Sequence, residues 1–282
     1  MPCKQSISEL VRRFYRTYRN CSIPLGHSLL RRVLRLCLAQ NQEVRLQSGL
    51  RLQLDLSKGN QEGIFWDDGA AETQLWWAIR ELVPPGGLFV DCGANCGLMG
   101  LLASQYRRAR VLFIEPHPRL ARSIEANVRL NNFEDRAEVI QSAVSDASGE
   151  SVFYENPTAD GSHSIHENWG EGEMRLLGKV KCERLEDILQ TRNMQRIDFL
   201  KIDTEGNDLA VLKGLGPYLR PSLTPLIYVE MGRDQEGILR LMDSRGYAGY
   251  VAFEKRRRAV VRRRNEYEKG GRVSFFRETR SC

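Results

Sequence analysis

A chain of 282 residues with 41% apolar side chains can bury one large core with appendages, and no run in it approaches the roughly 20 apolar residues of a membrane-spanning helix. The net charge of +6 is unevenly placed: +7 over residues 1–40 and +8 over 255–282 leave −9 for 41–254, so an acidic body carries two basic ends. Those ends read either as solvated tails or as contacts with an anionic surface, a membrane or a nucleic acid.

Residues 6–19 and 28–39 predict two short helices, with Leu10, Val11, Phe14 and Tyr18 on one face of the first and Leu30, Val33, Leu34 and Leu38 in the second. Arg fills the spaces between, so this leader reads as an accessory cap, an organelle transit peptide or a membrane-surface helix. The stretch EVRLQSGLRLQLDLS, residues 43–57, alternates on both sides of Ser48-Gly49 and predicts a β-hairpin. A loop around Gly63 to Gly69 is expected next. A helix from Glu72 to Leu82 then stops at Pro84-Pro85-Gly86-Gly87, which separates a leader of residues 1–84 from a core unit of residues 85–282.

From Leu88 onward strands alternate with helices. LFVDCGANCGLM is an apolar strand ending at Asp91, a turn with Gly93, Asn95 and Gly97, and a helix resuming at Leu98. Arg110 to Glu115 and Ala137 to Ala143 are further strands around a helix at Leu120 to Leu130, which makes a βαβαβ half of a parallel, doubly wound sheet. The insertion 144–183 breaks the rhythm with a short strand at Val152 to Tyr154 and a polar, Gly-rich 156–173, long enough for a functional loop or lid. Helix Leu185–Leu189, strand Ile197–Asp203, helix Asp208–Leu215, strand Pro225–Met231 and a helix near 234–244 follow. Tyr247–Glu254 and Arg272–Phe276 read as a final antiparallel pair joined by a basic loop, 255–271.

The seven cysteines, Cys3, Cys21, Cys37, Cys92, Cys96, Cys182 and Cys282, contain no CxxC pair and follow no secretory signal, so reduced thiols in a cytoplasmic setting are expected, with peripheral membrane attachment left open. Cys92 and Cys96 flank the Gly turn as small apolar fillers, since two sulfurs alone make a poor zinc site, and no triad with metal-ligand spacing is seen.

A Gly-rich loop leaving the first strand of such a sheet is where a nucleotide-like cofactor sits. The order Gly93-Ala94-Asn95-Cys96-Gly97 fails the GxGxxG spacing of dinucleotide binders, and Asp91 at the strand end would repel a pyrophosphate but suits a cation. Glu115, about 20 residues after the turn, stands where a carboxylate accepts from both hydroxyls of a ribose. Two acids and no phosphate cradle fit a positively charged nucleoside, and S-adenosylmethionine matches that description.

The segments DCGANCG, FIEPHP, NNFEDRAEVIQSAVSDASGE, GSHSI, FLKIDTEGNDLAVLKG and IYVEM, in that order from Leu88 to Met231, resemble the FkbM-type methyltransferases, mostly O-methylating enzymes. The resemblance implies a Rossmann-like class I methyltransferase sheet, mostly parallel with an antiparallel last strand. It also implies that Asp91, Gly93, Asn95 and Gly97 hold the methionine portion of the cofactor, Glu115 the ribose, and Ser142 and Ala143 the adenine region. Asp203 would stand near the reacting methyl. Thr204 and Asn207-Asp208 depart from the family pattern, on the substrate side.

Methyl transfer from a sulfonium is an in-line displacement that needs alignment and, for a hydroxyl acceptor, a base. Asp203 and Glu205 are the first candidates at a strand end, although either would also serve as a helix cap or a cofactor anchor. Glu230 ends the fifth strand. His163 and His166 lie in the insertion with a pKa suited to a base, whereas His117 between prolines reads as structural. The expected acceptor is a small molecule or glycan. A nucleic-acid-binding or nucleic-acid-methylating protein is the competing reading, weakened by the absence of interleaved aromatics for base stacking.

Overall fold

The computed structural model describes residues 7–20, 27–69, 73–157, 161–169, 173–230, 232, 234–255, 258–263 and 273–278. Cys3, Cys21, Cys282, Met231 and much of the basic stretch 255–271 lie outside the described residues. The chain divides into two compact units, Met1–Ala71 with Thr158–Gly161, and Glu72–Pro157 with Ser162–Cys282.

The first unit contains α1 (Ile7–Asn20), α2 (His27–Arg35), β1 (Asn41–Arg45), β2 (Arg51–Asp55) and α3 (Gly59–Asp67). The hairpin follows its alternation: β1 and β2 pair antiparallel, and Val44, Leu52 and Leu54 are buried while their neighbours face out. The stretch read as a loop around Gly63 to Gly69 is instead largely α3. Its two glycines weaken helical propensity, but burial of Ile64, Phe65 and Trp66 outweighs that, and Asp68 ends it in a left-handed conformation (φ 61°). The inner side of α1 is polar. Arg12 donates through Nε to Phe65 O (2.9 Å) and through Nη1 to Arg45 O (2.7 Å), and it pairs with Asp68. The helix therefore turns Ser8, Arg12 and Tyr15 inward and leaves Leu10 and Phe14 outside.

The second unit runs α4 (Thr73–Leu82), β3 (Leu88–Cys92), α5 (Leu98–Arg107), β4 (Arg110–Ile114), α6 (Pro118–Leu130), β5 (Ala137–Ile140), β6 (Ala143–Ser145), β7 (Gly149–Glu155) and β8 (Arg175–Arg184). It continues with α7 (Leu185–Thr191), β9 (Phe199–Ile202), α8 (Asp208–Gly214), β10 (Leu226–Glu230), α9 (Gln235–Ser244), β11 (Tyr247–Lys255), β12 (Arg258–Arg263) and β13 (Val273–Glu278). The main sheet has the order β12-β11-β13-β10-β9-β3-β4-β5. From β10 to β5 the strands are parallel, and β13 enters antiparallel between β10 and β11, so the expected mostly parallel sheet with an antiparallel last strand is present.

Two details differ from the sequence reading. Ala137 to Ala143 is not one strand: the chain turns at Gln141-Ser142, and β6 joins β7 and β8 in a separate three-stranded sheet built from the insertion. Part of the basic loop 255–271 is strand β12, antiparallel to β11. The apolar run Ala259-Val260-Val261 suits a strand there, but the flanking arginines masked it. The interior strands are buried on both faces, with Val90, Leu112, Leu200 and Ile227 against helices α7, α8 and α9, and Phe89 stacked on Phe199 (5.1 Å) on the other side. Each such side chain contributes about 1.5–3 kcal/mol by its removal from water.

Candidate active site

The strand register gathers the site. Cys92 pairs with Ile114 on one side and Ile202 on the other, and Ile202 is level with Val229. The next residue on each strand, Glu115, Gly93, Asp203 and Glu230, therefore falls along one edge, at the point where the strand order reverses from β3 outward.

The turn after β3 rests on the chain leaving β9. Gly93 has φ 73°, and a Cβ there would stand 1.8 Å from Asp203 O, so the residue type is fixed by backbone approaching backbone. Asn95 is also left-handed (φ 55°), and Gly97 opens α5 as its N-cap. Gly93 and Ala94 both donate to Ile114 O (3.0 and 3.3 Å), tying the turn to β4.

Glu115 closes the far side of the turn. Its Oε2 accepts from Asn95 N and its Oε1 from His117 N, both at 2.9 Å. Burial raises its carboxyl to about 7, against the lowering effect of those two donors.

Asp91 and Lys201 face each other across β3 and β9, directly paired in register. Lys201 Nζ lies 3.2 Å from Asp91 Oδ1, 3.2 Å from Asp203 Oδ2 and 3.0 Å from Gly93 O. The other oxygen of Asp91 accepts from Gly100 N (3.2 Å), within the first turn of α5. Asp91 is wholly buried, which raises its pKa, and the ammonium group that meets it in this structure is that of Lys201. One lysine thus joins Asp91, the Gly turn and Asp203 into one unit.

Glu205, at φ 53°, points into the same end of the sheet and accepts from Trp169 Nε1 at 2.5 Å. Burial, reinforced by repulsion from Asp203, raises its carboxyl to about 7. The indole of Trp169 packs where a Cβ of Gly206 (2.5 Å) or Gly232 (2.9 Å) would be. Ser164 Oγ donates to Glu205 O (2.7 Å), so the insertion is fastened to the loop after β9. Thr204 and Asn207-Asp208, the departures from the family pattern, are scaffold: Thr204 N and Oγ1 donate to Asp208 Oδ1 (2.9 and 2.8 Å), and Asn207 Nδ2 donates to Val144 O (2.6 Å).

His163 is buried, its ring tilted against that of His117 (4.6 Å between ring centres), and its Nδ1 accepts from Asn156 N (3.0 Å). His117 caps α6, its Nδ1 accepting from Arg119 N (3.1 Å), and burial lowers its pKa. His166 is half-buried, its N–H given to Ser164 Oγ. Ser142 and Ala143 lie beyond β5, where the Ser142 hydroxyl is spent on Ala143 O (2.9 Å) and Lys181 O (3.1 Å). Cys92 and Cys96 are buried, and burial pushes the thiol of Cys92 up, away from the thiolate.

Sequence reasoning missed Lys201 and Trp169. The signal for Lys201 was a charge inside an apolar interior strand at the level of Asp91; for Trp169 it was a large aromatic in the polar, Gly-rich stretch 156–173.

The methyltransferase FkbM domain family matches residues 91–248. Methyltransferase sdnD of Sordaria araneosa is 28% identical over 160 residues, covering 47% of this chain and 62% of that protein. The hexuronic acid methyltransferase AglP of Haloferax volcanii is 26% identical over 157 residues, covering 54% of this chain and 59% of that protein. The chain thus spans less than two thirds of either relative. Among solved structures, P. horikoshii TYW2 in complex with MeSAdo aligns with 86% of this chain and 72% of its own at 14% identity, with a TM-score of 0.45.

Proposed function

Because the chain belongs to the FkbM methyltransferase family, we propose that it transfers a methyl group to a hydroxyl of a small-molecule or glycan acceptor. S-adenosylmethionine is the methyl donor of this family, and when bound it supplies an electrophilic methyl on a sulfonium.

The donor set fits that cofactor, and Glu115 carries the argument. Each of its oxygens takes one backbone N–H, which leaves each a lone pair for one hydroxyl of a ribose diol. Asp91 occupies Gly100 N, removing one of the helix N-terminal donors that a pyrophosphate would use. In this reading Gly93, Asn95 and Gly97 bring main chain to the methionine portion, while Asp91 acts through Lys201 and the turn. Ser142 and Ala143 bound the adenine side with backbone, since the hydroxyl is already engaged.

Glu205 is the base of this reading. Asp203 is engaged by Lys201 Nζ (3.2 Å), and His163 spends its Nδ1 on Asn156 N–H. Glu230 stands level with Asp203 and borders the acceptor. Glu205, with its pKa near neutrality, can both take the hydroxyl proton and release it.

Incubating the full chain with methyl-labelled S-adenosylmethionine and a panel of hydroxylated small molecules and uronic-acid glycans is expected to give labelled methyl ethers. Label recovered on nitrogen, carbon or carboxylate would overturn the hydroxyl assignment. A base must be deprotonated, so the rate should climb as pH rises through about 7. Glu205→Gln should lower turnover by roughly 10²–10⁴-fold and flatten that rise; an unchanged profile would remove Glu205 from this role.

A further inference from the structure

The outward faces of α1 and α2 each carry an apolar stripe. On α1, Ile7, Leu10 (50% exposed) and Phe14 (55%) stand at helical spacing along one side, and on α2 and the turn that follows it Leu29, Val33 and Leu36 (86%) do the same. The stripe on α1 is not a rotational slip. Arg12, 3% exposed, is fixed by the carbonyls of Phe65 and Arg45 and by Asp68, so turning α1 to bury Leu10 and Phe14 would break all three contacts.

Charge accompanies the apolar residues. Two acids at the end of α3 are matched by arginines of these helices, Asp68 by Arg12 and Arg16 and Asp67 by Arg31. Arg13 and Arg32 are exposed beside the two stripes, within a segment, residues 1–40, that carries +7. Glu9, the one acid of α1, lies farther round the helix from Leu10 than Arg13 does. An apolar stripe edged by arginine is the pattern of a helix lying in a lipid interface, while no described helix is long and apolar enough to cross a membrane.

We propose that this N-terminal unit seats the protein on an anionic phospholipid bilayer, with Leu10, Phe14, Val33 and Leu36 entering the interface and Arg13 and Arg32 meeting the headgroups. Apolar burial holds the unit there, and charge selects the surface.

The test is flotation of the full chain with phosphatidylcholine vesicles doped with phosphatidylglycerol, against pure phosphatidylcholine vesicles. Binding is expected to the doped vesicles only, weakening as salt is raised. Phe14→Ser and Leu36→Ser should each lower partitioning roughly tenfold. Arg13→Glu with Arg32→Glu should lower it more, since each arginine lost is worth roughly fivefold before the added repulsion. Circular dichroism and S-adenosylhomocysteine binding, unchanged in these variants, show that the fold is kept. The proposal fails if the wild-type chain does not float, or if the variants float as well as it does. It fails equally if sedimentation shows a dimer that Phe14→Ser dissociates, because the stripes would then be covered by a second copy.

Discussion

Replacing Lys201 by methionine is expected to cost roughly 3–5 kcal/mol of stability at neutral pH, the range for removing one partner of a buried ion pair. Asp91 Oδ1 sits 3.2 Å from that ammonium with 1% of its side chain exposed, so the carboxylate has no access to water as a substitute. In the variant, Asp91 takes up a proton more readily than it does in the unfolded chain. A carboxyl raised in this way binds protons more tightly when folded, so the stability deficit grows as pH rises and shrinks toward acid. Urea unfolding at acidic and alkaline pH reads this directly. Adding Asp91→Asn to Lys201→Met should restore most of the loss, because the stranded charge is gone. If Lys201→Met unfolded at the wild-type urea midpoint at every pH, the junction of Asp91, Gly93 and Asp203 would have to be held by something else.

Glu115→Ala should weaken S-adenosylmethionine binding by roughly 10²–10⁴-fold, because two hydrogen bonds from hydroxyls to a charged acceptor are each worth about 1.5–3 kcal/mol. The same residue gives wild-type affinity a pH dependence. Its carboxyl stands at about 7 in the free protein, and two hydroxyl donors favour the ionised form, so binding releases a proton. Affinity should be flat above that pH and fall about tenfold per unit below it. Calorimetric titration across pH measures both effects. The alanine also strands the N–H groups of Asn95 and His117, so Glu115→Gln, which keeps one acceptor oxygen, is the companion variant. It should bind poorly and without pH dependence. Wild-type affinity in both variants would move the ribose away from Glu115.

The parallel half of the fold was legible because each interior strand is a short apolar run closed by a turn signal, and because Asp91, Glu115, Asp203 and Glu230 each mark a strand end. Their meeting was a matter of register, which the pairing of Cys92 with Ile114 and Ile202 supplies. The partner of Asp91 was hidden for the same reason: Lys201 is distant in sequence and adjacent only once β3 and β9 align. The break between β5 and β6 was not readable from AEVIQSA, since two polar residues between apolar ones carry no Gly or Pro turn signal and it is the second sheet that draws β6 away. In the first unit the periodicity of α1 was read correctly, but its orientation depended on carbonyls at Arg45 and Phe65 that only folding brings to Arg12.

Trp169 gives the chain an optical consequence. Its indole N–H is bonded to the carboxylate that would take the acceptor proton, and the ring packs against Gly206 and Gly232. The emission of this one indole should therefore shift with the ionisation of Glu205. Subtracting the spectrum of Glu205→Gln isolates the signal from Trp66, Trp76 and Trp77. A candidate acceptor that displaces the indole or changes that carboxyl would then announce itself by a change of light, before any product has been identified.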